Sequence, residues 1–156
     1  MKVLAIDPGY GRCGFAIVEK EKGKETLLYS ECVETPKTQD FPERLATVVA
    51  ACTRLIEKHH PNAVAIEKLY FTKNQKTAMH VAEVRGALIA TAAGAKLPVS
   101  EYTPGQVKSA VAGWGNADKT SVAQMLHALV RIEKKILHDD EYDAIAIGLT
   151  HLAHAR

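Results

Sequence analysis

The chain has 156 residues, of which 47% are apolar and 24% charged, ordinary globular values that fit one domain, 1–156, with a proper core. No apolar run approaches membrane-spanning length, and Asp7 arrives too early for a signal-peptide core, so no membrane role is expected. The net charge is only +2, but residues 68–135 carry ten Lys/Arg against four acids, a local net of +6, while the rest carries −4. A basic middle and an acidic remainder suit a polyanion-binding face beside a carboxylate-lined site; the plain alternative is that Lys and Arg solvate helix surfaces. Cys13, Cys32 and Cys52 form no CxxC pair, which supports neither a disulfide framework nor a zinc site and fits a reducing, cytoplasmic setting.

Val3 to Ile6 reads as a short buried strand, and Pro8-Gly9 and Gly11 force a turn after it. Cys13 to Val18 is a second strand, ended by the charged segment Glu19 to Lys24, and Thr26 to Val33 is a third. Phe41 to His60 follows as a helix, with Asp40 as N-cap, Pro42 in the first turn and Pro61 as its stop. Ala63 to Ile66 is fully apolar, as a central parallel strand should be. Residues 74–93 form a helix with Ala78, Val81, Ala82, Leu88, Ile89 and Ala92 on one face, and His80 on its surface. Val99 to Tyr102 is a fifth strand, and Thr103-Pro104 opens a helix that Gly113-Trp114-Gly115 breaks. A helix over about 118–132 turns Val122, Met125, Leu126, Leu129 and Val130 inward. The last helix starts near Asp140 and closes with His151 and His154, cations suited to the negative dipole end. Three strands followed by alternating helices and strands predict an α/β fold around a mixed sheet.

Asp7 and Glu67 each end an apolar strand, and Asp140 and Asp143 stand three apart at a helix start, pointing to one side. Taken singly, these acids have simple roles: a turn-forming Asp before Pro-Gly, a strand-end Glu meeting solvent, an N-capping pair. Jointly, if the first and fourth strands lie side by side with the last helix against them, four carboxylates share one pocket. There they would repel one another and raise each other's pKa values unless divalent cations compensated them. Two Mg²⁺ ions about 3.5–4 Å apart would make such a cluster a clamp for in-line attack on a phosphodiester.

Ile6-Asp7-Pro8-Gly9, Ala65-Ile66-Glu67, Gln106-Val107-Lys108 and Asp140-x-x-Asp143-Ala144-x-Ala146-Ile147 occur in the order found in the RuvC-type Holliday-junction resolvases, which the chain resembles over nearly its whole length. The resemblance implies a ribonuclease-H-like fold, with three antiparallel strands and then parallel ones in a five-stranded sheet flanked by helices. It also implies a homodimer that nicks paired strands of a four-way DNA junction symmetrically, in recombination and repair. It implies two Mg²⁺ ions per site, with Mn²⁺ able to substitute, held by Asp7, Glu67, Asp140 and Asp143. A branch-migration helicase complex is the implied partner. Tyr70 falls at the family's base-stacking aromatic, with Phe71 as the alternative, and Lys108 and Lys119 fall at its basic positions near the scissile phosphate. Asp139 is a second candidate for the third ligand, although the register of Asp143-Ala144-Ile145-Ala146-Ile147 favours Asp140. Beside the resemblance, Lys73, Lys76 and Arg85 lie along one helix and could track a backbone, each contact steepening the salt dependence of binding. Gly86 with Ala82, Ala87 and Ala90 makes that helix slim, suited to a two-fold interface or to tight packing on its own sheet. The competing reading is a nuclease of the same fold acting on RNA or RNA–DNA hybrids.

Overall fold

The structure, a computed structural model, describes residues 1–69, 75–113 and 115–155, with the side chains of Gln75 and Lys76 outside the description. Its strands are β1 (Lys2–Asp7), β2 (Arg12–Glu21), β3 (Lys24–Glu34), β4 (Ala63–Glu67) and β5 (Val99–Tyr102). Its helices are α1 (Phe41–His59), α2 (Gln75–Gly94), α3 (Pro104–Ala112), α4 (Lys119–Leu129) and α5 (Asp139–His154). The strands form one mixed sheet in the order β3-β2-β1-β4-β5. Strands β1 to β3 pair antiparallel, whereas β4 runs parallel to β1 and β5 parallel to β4. None of the described helices is long and apolar enough to cross a membrane.

The helix starts follow local chemistry. Asp40 and Glu43 close a capping box on α1, and Thr103 and Gln106 close one on α3, each ahead of a proline in the first turn. Asp118 caps α4 by accepting from the Ser121 amide at 2.7 Å. Two boundaries differ from the sequence reading. The β2–β3 hairpin runs on through Glu19–Glu21 and Lys24, because Lys22 and Gly23 both take positive φ, 50° and 82°, and make a tight two-residue turn. Helix α4 stops at Leu129, short of the expected end, and Met125 and Leu129 are exposed while Val122, Leu126 and Val130 are buried.

The alternation of strand side chains divides the core in two. Leu4 and Ile6 of β1, Phe15 and Ile17 of β2, and Val64 and Ile66 of β4 pack with Val48, Cys52 and Leu55 of α1 and Val84 and Leu88 of α2. Val3, Ala5, Ala16, Val18 and Ala65 face the other way, against α3, α4 and α5. On α2 the buried residues are Ala78, Val84, Leu88 and Ala92, whereas Ala82 is exposed. This helix is apolar nearly all round, so its periodicity leaves the phase of the inner face undetermined. His80 is not simply on the surface either: its ring stacks on Phe41 at 4.0 Å and lies edge-on to Tyr10.

Helix α5 is buried along most of its length, from Ala144 to Leu152, with α3 and α4 packed on its outer side. The sheet face beneath it is made of small residues, Ala5, Gly14, Ala16 and Ala65, so the helix sits low on the strands. Two glycines mark the closest approaches. A Cβ on Gly14 would overlap the backbone carbonyl of Asp140, and a Cβ on Gly148 would come within 2.7 Å of Val18 and 3.1 Å of Ala5. Adding a methyl group at either point forces helix and sheet apart. Gly148→Ala and Gly14→Ala are each expected to lower unfolding stability by roughly 1–3 kcal/mol, the usual cost of overpacking. Urea unfolding midpoints check this, and Gly14→Ala carries the larger loss because backbone is the obstacle there.

Candidate active site

The site follows from strand direction and parity. Because β1 and β4 run parallel with Ile6 opposite Ile66, their carboxyl ends coincide and Asp7 comes to lie beside Glu67. Counting by twos from Ala5 and Ala65, both acids project to the α5 side of the sheet. Gly14 is the antiparallel partner of Asp7, and it is the residue that admits the backbone of Asp140. The close approach of α5 therefore delivers its first turns to the strand ends, with Asp143 one turn beyond Asp140. All four carboxylates are half-buried there. Asp140 is not a cap: the N-cap residue of α5 is His138, and its side chain makes no capping hydrogen bond.

Electrostatics registers the crowding. Burial, then the charges of Glu67, Asp143 and Asp140, push the Asp7 carboxyl well above its ordinary range, with Lys119 pulling it back. Burial and Asp143 push Glu67 up to about 7, against the pull of Lys108 and Lys119. Burial also raises Asp143; Lys119 and Lys108 oppose the rise, and Asp139 and Asp140 add to it. Oδ2 of Asp140 is buried without a hydrogen-bond partner. Among the described residues, no three His, Cys, Asp or Glu side chains stand close enough to hold an ion unaided. Glu67, Asp140 and Asp143 thus lie near enough for their charges to act on Asp7, without closing into a cage. Hard oxygen donors, an orphaned carboxylate oxygen and mutual repulsion are what a magnesium-like cation would relieve.

A cavity of about 200 Å³ opens beside the acids, lined by Glu67, Pro104, Val107, Lys108, Lys119, Val122, Asp143 and Ala146. Residues of α3 and α4 border it, so two lysines, Lys108 and Lys119, meet at a place suited to an anion. Lys119, the first residue of α4, bonds Asp139 at 3.0 Å with both side chains largely exposed, and this pairing raises the lysine's pKa. Asp139 is thereby turned to Lys119, and Asp140 rather than Asp139 contributes to the charge felt by Asp7.

Arg85 stands otherwise than the sequence reading has it. Its Nε donates to the Glu67 carbonyl at 3.0 Å and its guanidinium pairs with Glu101, in a side chain only 17% exposed, so it braces the end of β4 from within. An arginine on a helix reads the same in sequence whether it points to solvent or across to a strand end. His151 is buried too, bonded to the Tyr102 hydroxyl at 2.9 Å, and burial lowers its pKa, so it is no dipole-matching cation. Tyr70, Phe71, Lys73, Trp114 and the Lys76 side chain lie outside the described residues. Sequence reading missed Arg12, whose Nε lies 3.2 Å from Asp140 Oδ2, and Gly14; a glycine inside a strand pattern was the available signal for the latter.

A ribonuclease-H-like sheet with acids at the adjoining ends of its first and fourth strands, met by acids from a final helix, defines the nuclease class of that fold. The profile of the family described as "Crossover junction endodeoxyribonuclease RuvC" matches residues 3–151. A Moorella thermoacetica protein of that name is 43% identical over 155 residues, covering 99% of this chain and 93% of the relative. One from Petrotoga mobilis is 39% identical over 151 residues, covering 97% and 93%. A solved structure of Thermus thermophilus RuvC in complex with a Holliday junction substrate superimposes with a TM-score of 0.92 at 35% identity, covering 100% of this chain and 95% of that one. The chain belongs to the RuvC family of crossover junction endodeoxyribonucleases.

The raised carboxyl values fix a sign for the pH dependence. A carboxyl whose folded pKa exceeds its unfolded value binds more protons when folded, so its stabilising contribution is complete at low pH and lost as pH rises through the folded value. For Glu67 the window runs from its ordinary 4.5 to about 7, and Asp7 and Asp143 act in the same direction. In chelator, the contribution of this cluster to the thermal midpoint should fall across that window, and Glu67→Gln should flatten the fall. Thermal scans of the parent and Glu67→Gln from pH 4.5 to 7.5 measure the difference; parallel curves would refute the assignment.

Proposed function

We propose that the protein is a metal-dependent, structure-specific DNA endonuclease of recombination and repair. It resolves four-way junctions by Mg²⁺-dependent hydrolysis of phosphodiesters, a homodimer making paired symmetric nicks. The observation that carries this reading is that the charges of Glu67, Asp140 and Asp143 all act on Asp7, in a chain of this family. The relative solved with a Holliday junction supports four-way junction DNA as the substrate. No observation favours the RNA or RNA–DNA alternative.

Asp7, Glu67, Asp140 and Asp143 would hold the ions, two per site, with Mn²⁺ as the natural substitute. Divalent cations bound there supply the Lewis acidity that activates water and offsets charge on the leaving 3′ oxygen. The chain's own part is to hold the acceptors in place and to exclude bulk water from the strand-end side. Lys108 lines the cavity next to Glu67 and Asp143, where its ammonium can neutralise charge growing on the phosphate. Lys119, released from Asp139, can reach the same phosphate or the one beside it. Tyr70 or Phe71 would stack on junction bases, with Lys73 and Lys76 on the backbone nearby. Arg85 serves by fixing the Glu67 backbone rather than by tracking DNA.

A second copy of the chain supplies the second cut. The exposed stripe Met79, Ala82, Gly86 and Ala90 follows helical spacing along α2. Met79 is 65% exposed, and no described atom lies within 4 Å of a Cβ built on Gly86. A slim apolar ridge of this kind suits a two-fold helix contact. A branch-migration helicase complex is the proposed wider partner, in the cytoplasm, where three free thiols suit a reducing setting.

Synthetic mobile and immobile four-way junctions, incubated with and without Mg²⁺ and mapped strand by strand, test the activity; unbranched duplex cut equally well would refute it. Asp7→Asn should bind junctions normally yet cut them more than ~100-fold more slowly, beyond the range for outer-sphere partners. Lys108→Ala should lower the single-turnover rate by about 10²–10³, the range for loss of one charge-stabilising donor, with little change in junction affinity. Sedimentation should show a dimer, and Gly86→Glu should shift it toward monomer and uncouple the two nicks.

A further inference from the structure

Three consecutive acids open α5, and each is paired with a cation from a different part of the chain: α4, β2 and the α4–α5 loop. Asp139 meets Lys119 of α4 at 3.0 Å, Asp140 meets Arg12 of β2 at 3.2 Å, and Glu141 meets Lys134 at 2.5 Å. The outer two are readily explained. Glu141 is buried and also accepts from the Ser30 hydroxyl at 2.6 Å, so it ties the helix to β3. Asp139 and Lys119 are exposed partners at the rim. Arg12 alone holds a carboxylate that faces Asp7.

The placement of Arg12 is built, not incidental. Arg12 and Glu34 are cross-strand partners on β2 and β3, and His138 lies between their side chains. Nη1 of Arg12 donates to His138 Nδ1 at 3.1 Å, and His138 Nε2 donates to Glu34 Oε1 at 2.7 Å. One neutral tautomer of the imidazole satisfies both bonds. The guanidinium is thus gripped from behind at one nitrogen, with Nε directed to Asp140. The Asp140 oxygen it faces is buried and receives no hydrogen bond, so the pairing is electrostatic and incomplete.

We infer that Arg12 is a resident cation of the metal-free site: it holds the Asp140 carboxylate and yields it when a divalent ion enters, and so sets the ion affinity of the site. This rests on the reading of Asp140 as an ion ligand. Among four crowded carboxylates a guanidinium offsets part of the repulsion, and it repels an incoming cation for the same reason. Its exit is open, because the Arg12 side chain is half exposed and keeps His138 as a partner when it leaves Asp140. A residue that merely braced α5 would leave ion binding unchanged or weaker on removal; a competitor makes it tighter.

The test is direct titration of the full-length protein with Mn²⁺ by calorimetry, beside thermal scans in chelator and in saturating Mn²⁺. Arg12→Gln should bind Mn²⁺ roughly three- to tenfold more tightly, the scale of one charge contact in partly solvated surroundings. It should also melt at a lower temperature than the parent in chelator and gain more from added ion. Arg12→Lys, whose single ammonium cannot reach His138 and Asp140 together, should fall between the two. Dissociation constants for both variants equal to or above the parent's overturn the inference while leaving the metal site standing. No Mn²⁺ binding by the parent overturns both.

Discussion

The contact between α5 and the sheet governs the rest of the molecule. Branched side chains on a sheet normally hold a packed helix away from it. Here the strands offer Ala5, Gly14, Ala16 and Ala65, and the helix offers Ala144 and Gly148, so the two backbones close in. Large side chains are found where they do not intervene: Ile145, Ile147 and Leu152 are fully buried around the helix, each contributing on the order of 1.5–3 kcal/mol. That burial is what can hold a helix whose first turns bring like charges together. Small residues under the helix therefore serve the geometry of the acids as much as the packing of the core.

Much of this was legible in the sequence, for identifiable reasons. Asp7 and Glu67 end apolar runs, and a carboxylate after a buried strand is costly enough to stand out. Capping boxes at Asp40 and Thr103 announced two helix starts. The mixed character of the sheet follows from three short-linked strands and then helical crossovers, whereas the adjacency of β1 and β4 enters the sequence reading only as a condition. Pairings across the fold were not legible. Arg12 is 128 residues from Asp140 in the chain, and no local pattern marks a cation as the partner of a particular acid. The partners of Arg85 and His151 are equally hidden, because a polar residue inside a helix pattern says nothing about which neighbour it meets. The inner face of α2 was misphased for the opposite reason: apolar residues on every side leave no moment to read. Asp139 and Asp140 were separable only by direction, one to Lys119 and the other to Asp7.

Charge segregation along the chain also means something different in three dimensions. The basic stretch 68–135 does not present all its cations outward. Arg85 pairs with Glu101 in a largely buried side chain, and Lys134 pairs with the buried Glu141. Lys108 and Lys119 act on acids of the opposite, negatively charged portion of the chain, lowering the pKa values of Glu67 and Asp143. The linear excess of +6 therefore overstates the field available to a polyanion, and part of it is consumed in bringing α3 and α4 against α5.

That consumption has a functional logic. Glu67 and the two α5 acids raise the pKa of Asp7, Asp143 raises that of Glu67, and the metal-free fold carries the cost. Lysines directly among them would cancel the repulsion and with it the attraction for cations. The structure instead sets its cations at the periphery, close enough to temper the repulsion and far enough to leave Asp7, Glu67 and Asp143 without an ion-pair partner among the described residues. Lys119 lies on Asp139 rather than on Asp143, and Arg12 lies on the outer flank of Asp140. Each can then turn to a phosphate once its acid is otherwise compensated. On the proposed function, a site built this way trades stability of the empty protein for affinity toward a cation and an anion together, the two charges a phosphodiester and its counterions bring. The same trade explains why the burial around α5 is so extensive: a loosely held helix would relieve the repulsion by moving away.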